Sequence, residues 1–318
     1  MTILDTDTTA PSPVAGYEAG AAYLDGAFMP VGEARIPVTD FGYRRSDVTY
    51  DVVGVWEGSF FRLDDHIARF RASMNALRLS PPETDEEIRA ILNTLVATAG
   101  LTSAYVAMDC LRGVPKPGLP RHPMNARNYL SCYAVPWISI ASPDQMTRGK
   151  HLIIAQALRI PPESFEPRVK NFHWGDLTAG LFEAADKGAD TAVLLDIDGN
   201  VTEGPGFNVF SITDGVVATP ARGGLDGITR RSVIELCADL GIACEVRAVP
   251  AAELRDADEI FTSTTAGGIM PVSRIDGRIL GNDRPGPITT RLKDAFWDKR
   301  AAGWHATPVD YGAALKRG

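Results

Sequence analysis

The chain has no long apolar run. Its longest stretches, such as Val52 to Val55 and Leu152 to Ala157, fall far short of the roughly 20 residues a membrane-spanning helix needs, so no span is expected. The first twenty residues, Met1 to Gly20, lack the basic start and apolar core of a secretory signal; they are expected to form a flexible tail, frayed or draped over a dimer partner. There is no block of Lys and Arg either. With 32 basic and 40 acidic residues the formal net charge is -8, and nothing in the sequence forms a phosphate-tracking surface, so nucleic acid is not an expected partner. Cysteine is scarce: Cys110, Cys132, Cys237 and Cys244 are scattered without CxxC spacing, which favours reduced thiols and makes the cytoplasm the default compartment. The five histidines contain no HExxH pair, and no metal site is expected.

What is present is a non-repetitive chain of 318 residues, 45% apolar, long enough for two units of ordinary size. Tyr23 to Ala27 and Thr49 to Phe61 read as hairpins, the second turning at Glu57-Gly58. Ile67, Phe70, Met74 and Leu77 recur at spacings of three and four and predict one helix, with Asp64 or Asp65 as its cap; Ile88, Ile91, Leu92 and Leu95 predict another over 85–99. Tyr105 to Cys110 and Tyr129 to Val135 read as extended, separated by a Pro/Gly/Arg-rich loop from Gly113 to Asn128, a length that often marks function. A new run of strands starts at His151, which places a boundary near residue 145. Hairpins are expected around Asp198-Gly199-Asn200 and Asp214-Gly215, with helices over 176–187, which Asp176 could cap, and 228–240.

Several residues could carry chemistry. Lys170 stands in Arg-Val-Lys-Asn-Phe-His-Trp, where apolar and aromatic neighbours strip water from the amine and free it to attack a carbonyl; taken alone it reads more simply as an exposed lysine at a strand end. Glu203, in Asn200-Val-Thr-Glu-Gly-Pro-Gly-Phe-Asn208, follows a turn whose glycines allow close backbone approach, and its carboxylate could pair with a protonated ring nitrogen. The Asp196-Ile-Asp-Gly-Asn200 segment has glycine too early for a calcium loop, and Gly204-Pro-Gly206 lacks the third glycine and following helix of a dinucleotide fingerprint. Arg222-Gly-Gly-Leu-Asp-Gly-Ile-Thr229 opens a helix whose first N–H groups, at Ile228 and Thr229, suit a phosphate. Thr262-Ser-Thr-Thr-Ala-Gly-Gly268 brings hydroxyls to a strand end, and Arg69, beside His66, could supply a countercharge.

The order of these segments resembles the fold-type IV, pyridoxal-phosphate-dependent class IV aminotransferases: Phe61-Arg-Leu-Asp-Asp-His66-Ile-Ala-Arg69, then Lys170-Asn, Thr202-Glu203-Gly with Asn208, Gly227-Ile-Thr229, and Thr264-Thr-Ala-Gly-Gly-Ile-Met-Pro271. The similarity spans Tyr23 to Trp304. Within the family it is nearest the (R)-selective amine transaminases, through Ser46-Asp-Val-Thr-Tyr50-Asp-Val52 and Lys170-Asn-Phe-His-Trp174-Gly-Asp-Leu. The resemblance implies an α/β (α+β) fold with a small N-terminal α/β domain, 21–145, and a larger C-terminal pseudo-barrel domain, 146–318, with the active site between them in a homodimer. It implies pyridoxal 5′-phosphate as cofactor, with Lys170 as the lysine bonded to its aldehyde, Glu203 at the pyridine nitrogen, and Leu225 packed on the ring. Arg69, Thr265 with its neighbour Thr264, and the N–H groups of Ile228 and Thr229 would bind the phosphate. The reaction implied is amino transfer between small-molecule amine and oxo acid substrates by a ping-pong cycle.

Strand alternation over 49–56 puts Tyr50, Val52 and Gly54 on one face, and the family's pocket lies on the Tyr50 side. Gly54 leaves room beside Val52, Tyr105 and Trp174 are expected as aromatic walls, and Ala266 follows the phosphate threonines. Two positions depart from the amine transaminases: Arg45 stands where histidine is common, and Ala107 where many carry glutamate. Both changes favour anions, as a D-amino acid or branched-chain amino acid transaminase requires. Arg121 is the candidate for the oxo acid carboxylate, with Arg45 and Lys116 behind it. An aminodeoxychorismate-type lyase and a non-catalytic carrier of the vitamin phosphate are the remaining alternatives.

Overall fold

The computed structural model describes residues 11–316, so half of the expected tail, Met1 to Ala10, lies outside the described residues. The rest of that segment runs along the protein: the Val14 N–H donates to the Thr98 carbonyl at 2.9 Å, and Tyr17 packs on the neighbouring core. The described residues divide into two compact units. One runs up to Ile138 and takes in Val169–Phe172 and the segment from His305 onward; the other holds Ser139–Arg168 and His173–Trp304.

The first unit is built on an antiparallel sheet of β1 (Ala21–Leu24), β2 (Ala27–Pro30), β3 (Val48–Trp56), β4 (Ser59–Phe61), β5 (Ala104–Leu111) and β6 (Tyr129–Pro136), with the short strand Ala306–Pro308 at one edge, beside β4. Both expected hairpins are present. At Glu57-Gly58 both residues have positive φ, 48° and 71°, the twist that lets two residues join β3 to β4. Against one sheet face pack α2 (Leu63–Ala76) and α3 (Asp85–Thr98), preceded in the chain by the one-turn α1 (Phe41–Arg45). Val53, Val55, Val106, Met108 and Leu130 from that face meet Leu63, Ile67, Phe70, Met74, Ile88 and Leu92 in one core.

Helix starts differ from the simplest reading. Neither Asp64 nor Asp65 caps α2: its N-cap is Arg62, at φ 54°, with no side-chain cap bond, and Asp65 pairs with Arg62 at 2.9 Å instead. For α3, Thr84 and Glu87 form a reciprocal capping box.

The second unit has a mixed sheet ordered β12-β11-β10-β13-β14-β7-β8. Its strands are β7 (Lys150–Leu158), β8 (Thr191–Leu195), β9 (Glu203–Gly204), β10 (Phe207–Thr213), β11 (Val216–Pro220), β12 (Cys244–Arg247), β13 (Glu259–Thr264) and β14 (Gly268–Ile275); β9 pairs with β10. The β7·β8, β7·β14 and β11·β12 pairs are parallel and the rest antiparallel, which makes the class α/β in the broad, mixed sense. Its helices are α4 (Pro143–Arg148), α5 (Gly175–Asp186), α6 (Ile228–Asp239), α7 (Ala251–Asp256) and α8 (Pro287–Ala301). Among the described residues no helix is long and apolar enough to cross a membrane.

Candidate active site

In the first unit, Lys170 lies in a short segment that returns to β3. Its carbonyl accepts from the Thr49 hydroxyl at 2.6 Å and the Tyr50 N–H at 3.3 Å, and its own N–H donates to the Ser73 hydroxyl at 3.2 Å. The backbone is thus pinned on both sides while the amine is carried over the Tyr50 ring, 4.2 Å from its centroid. Phe172 meets the same ring edge-on at 4.9 Å.

Arg69 projects from α2 toward β3, where its Nε and Nη2 donate to the two carboxylate oxygens of Asp51 at 2.7 and 2.8 Å. His66, one turn earlier on α2, meets the same carboxylate through Nδ1 at 2.8 Å. Asp51 is fully buried. Burial works to raise its carboxyl, but the positive charge of Arg69 and the hydrogen bonds from His66 and Arg69 prevail and hold it well below the usual carboxylate range. Burial pushes His66 the other way, favouring the neutral ring even though Asp51 opposes it. Asp51 is one residue that sequence reasoning missed; the signal available was a lone acid on the helix-facing side of a mostly apolar strand.

The register of the sheet settles which side chains share a face. Tyr50 pairs with Asp109, Val52 with Ala107 and Gly54 with Tyr105; Asp109 pairs in turn with Ser131, and Ala107 with Tyr133. Tyr50, Val52, Gly54, Tyr105 and Ala107 therefore occupy one surface, opposite the helix-packed one. Tyr105 and Tyr133 stack at 6.3 Å. Arg45, the last residue of α1, and Arg121, in the long loop, both lie over the Phe41 ring, at 4.0 and 5.4 Å. Arg112 at the loop's start is committed elsewhere, gripping Asp47 and the carbonyls of Leu77 and Arg78.

In the second unit Glu203 is buried on β9. Its Oε1 accepts from Arg159 Nε at 3.1 Å and its Oε2 from the Leu225 N–H at 2.9 Å. Arg159 is shared with Asp176 through Nη1 at 2.7 Å. Asp176 does not cap α5, whose N-cap is Trp174 with no side-chain cap bond; it accepts from Arg159 and from the N–H groups of Ile160 and Leu177. Arg159, absent from the sequence reading, thus sits between two carboxylates and fixes the rotamer of Glu203.

The turn before α6 is held by Asn208, whose amide donates to the Leu225 carbonyl at 2.8 Å. A Cβ at Gly227 would lie 2.0 Å from Asn208 Oδ1, so glycine is required for that approach. Gly227 is the N-cap of α6 and offers no side-chain acceptor to the helix's first N–H groups, at Ile228 and Thr229. An uncapped helix start, a buried carboxylate and a glycine-lined turn are a donor and acceptor set that would suit a phosphorylated pyridine, the helix end for the anion and the acid for a protonated ring nitrogen. Thr264 ends β13, and Thr265 and Ala266 follow in the turn, where the Thr264 hydroxyl accepts from the Ala266 N–H at 3.4 Å. Trp174 stands near Gly206, where a Cβ would lie 3.5 Å from the indole.

The amino-transferase class IV family matches residues 49–275. A putative branched-chain-amino-acid aminotransferase of Methanocaldococcus jannaschii is 33% identical over 87% of this chain and 96% of its own, and a D-alanine aminotransferase of Bacillus licheniformis is 28% identical over 86% and 94%. The crystal structure of the branched-chain amino acid aminotransferase from Thermobaculum terrenum, in its pyridoxal-phosphate form, superposes with a TM-score of 0.82 at 27% identity, covering 92% of this chain and 99% of that one. The chain belongs to the class IV aminotransferases, with their fold-type IV architecture. It is a pyridoxal 5′-phosphate-dependent aminotransferase.

Proposed function

We propose that this aminotransferase draws its amino group from an (R)-configured amine and passes it to an oxo acid such as pyruvate in a ping-pong cycle. The observation that carries the reading is the Tyr50 face of the first unit. Tyr50, Val52, Gly54, Tyr105, Ala107, Asp109, Ser131, Tyr133 and Val135 alternate onto it, and none of these is a cation that could pair with a donor's α-carboxylate. Small residues at 54 and 107 leave room for a bulky substituent beside Val52.

Pyridoxal phosphate, when bound, supplies an aldehyde that condenses with amines and a ring that takes up the electrons left when a carbon–hydrogen bond breaks. Lys170 Nζ is the base that takes the proton from the substrate carbon and the acid that returns it. Its pinned backbone restricts where that amine can travel. Glu203, oriented by Arg159, holds a proton at the ring nitrogen. In the first unit Arg69, oriented by Asp51, is the proposed phosphate ligand; in the second unit Thr264, Thr265 and the N–H groups of Ile228 and Thr229 are proposed to bind phosphate, with Leu225 packed on the ring. Arg121 takes the carboxylate of the oxo acid, with Arg45 and Lys116 as the other candidates; its place over Phe41 is solvent-exposed and leaves it free to reorient. We further infer a homodimer, since Val38 just before α1, Tyr43 on α1 and Met124 in the long loop are exposed large side chains of the first unit.

A second reading, a D-amino acid or branched-chain amino acid transaminase, is supported by the names of the relatives and by Arg45. An aminodeoxychorismate-type lyase is the weaker third. Initial rates with (R)-1-phenylethylamine, its (S) enantiomer, D-alanine and L-leucine, each with an oxo acid acceptor, decide among them. The expected result is turnover of the (R)-amine above the other three; faster turnover of either amino acid overturns the reading, and pyruvate release without an acceptor indicates the lyase. Lys170→Ala should lose the yellow absorbance of the bound cofactor and reduce kcat by ~10²–10⁴ or more.

A further inference from the structure

Asp109 is an acid without a partner among the described residues. It lies on β5 opposite Tyr50 and Ser131, on the face that carries Tyr105, Ala107 and Tyr133, and its carboxylate makes no hydrogen bond or ion pair among the described residues. Directly paired residues of an antiparallel sheet have Cβ atoms about 4.5–5.5 Å apart, so the carboxylate stands one cross-strand step from the ring on which the Lys170 amine rests. Its negative charge reaches the hydroxyls of Tyr105 and Tyr133: burial first, and Asp109 among the neighbouring groups, push both phenols up. Burial alone lifts the carboxyl of Asp109, to about 7.

An unpaired, partly buried carboxylate is costly: it either keeps a proton, as its raised carboxyl does, or pairs with a countercharge that favours the ionised form. No Lys or Arg stands on the neighbouring positions of β3, β5 or β6 to supply it. Besides the Lys170 amine over the Tyr50 ring, which the reaction itself requires, the surrounding groups are phenols, the Ser131 hydroxyl and small apolar residues, which would line the stem of a ligand without neutralising an acid. The missing charge is then best brought by the ligand itself.

We propose that Asp109 is a specificity-determining residue that selects amino donors carrying a second positively charged group, the carboxylate pairing with that distal ammonium while the reacting amine lies toward Lys170. This deepens the reading of the Tyr50 face as the substrate face and rests on it.

The test compares donors equal in size but differing in distal charge: 1,4-diaminobutane against n-pentylamine, and ornithine against norleucine in both D and L forms, with the wild-type holoenzyme and Asp109→Asn. The quantity read is the ratio of kcat/KM for the charged over the neutral member. We expect a preference of about tenfold or more for the charged member in the wild type and its collapse toward one in Asp109→Asn. A general structural defect lowers both members together and leaves the ratio unmoved. Inhibition by n-butyltrimethylammonium, which has the distal cation but no reactive amine, should weaken at least about fivefold in the variant. A ratio or inhibition constant unchanged within about twofold overturns the proposal. If only the amino acid pairs are turned over, the amine-donor reading fails while their ratio still decides the role of Asp109.

Discussion

Both oxygens of the Asp51 carboxylate accept from the guanidinium of Arg69, at 2.7 and 2.8 Å, so a strand and a helix of the first unit meet in a two-pronged ion pair with no water-exposed acid. Asp51→Asn keeps the shape and removes the charge that orients Arg69. Breaking a buried pair on one side costs ~3–5 kcal/mol. We expect a fall in unfolding temperature and a loss of about tenfold or more in cofactor affinity, read by fluorescence titration of the cofactor-free protein. The pH dependence has a definite sign. Because the folded carboxyl is held below its unfolded value, its contribution is complete above about pH 4 and lost as pH falls further; the variant should lack that acid-side loss.

Arg159 bridges Glu203 and Asp176 at 3.1 and 2.7 Å. Arg159→Leu leaves two carboxylates near one another with no cation between them. Thermal unfolding should report ~3–5 kcal/mol of destabilisation, and kcat should fall as Glu203 loses its fixed orientation. Unchanged stability would mean that Arg159 is a bystander.

Gly227→Ala tests the turn before α6. The backbone there has φ -63°, which alanine adopts freely, so any effect comes from the methyl group meeting Asn208 Oδ1. Loss of the bond from Asn208 to the Leu225 carbonyl should destabilise the fold by ~1–3 kcal/mol and raise the Kd for pyridoxal phosphate. Equal affinity in wild type and variant would exclude this turn from phosphate binding.

Asp109 has the opposite pH signature from Asp51. Its carboxyl is raised from 3.8 to about 7, so between those values the folded protein retains a proton that the unfolded chain releases, and stability declines as pH climbs through that window. The facing groups are the phenols of Tyr50, Tyr105 and Tyr133 and the hydroxyl of Ser131. At ~1.4 kcal/mol per pKa unit the gap sets a ceiling of about 4 kcal/mol, reduced because the residue is only partly buried. Calorimetry of Asp109→Asn should therefore show a gain in Tm at pH 8 that vanishes near pH 4.

Local pattern carried much of the chain's organisation. Two-residue alternation over 49–56 separated the Tyr50 side of β3 from the side that packs on α2, and the observed register agrees, because a strand that buries one face must alternate. The spacing of Ile67, Phe70 and Met74 marked α2 for the same kind of reason. Capping was less legible: Asp64, Asp65 and Asp176 all have the right chemistry for a helix start, yet each is taken by an arginine or a backbone N–H that tertiary packing brings near.

From sequence alone, then, came the ordered motifs around Lys170, Glu203 and Gly227 and the faces of the principal strands, since these depend on neighbours within a few residues. Only the tertiary structure decided that Asp51 grips Arg69 across 18 positions, that Arg159 grips Glu203 across 44, and that Asp109 has no partner among the described residues. Long charged side chains can reach many places, and which one they occupy depends on where burial removes water and leaves a single countercharge within reach.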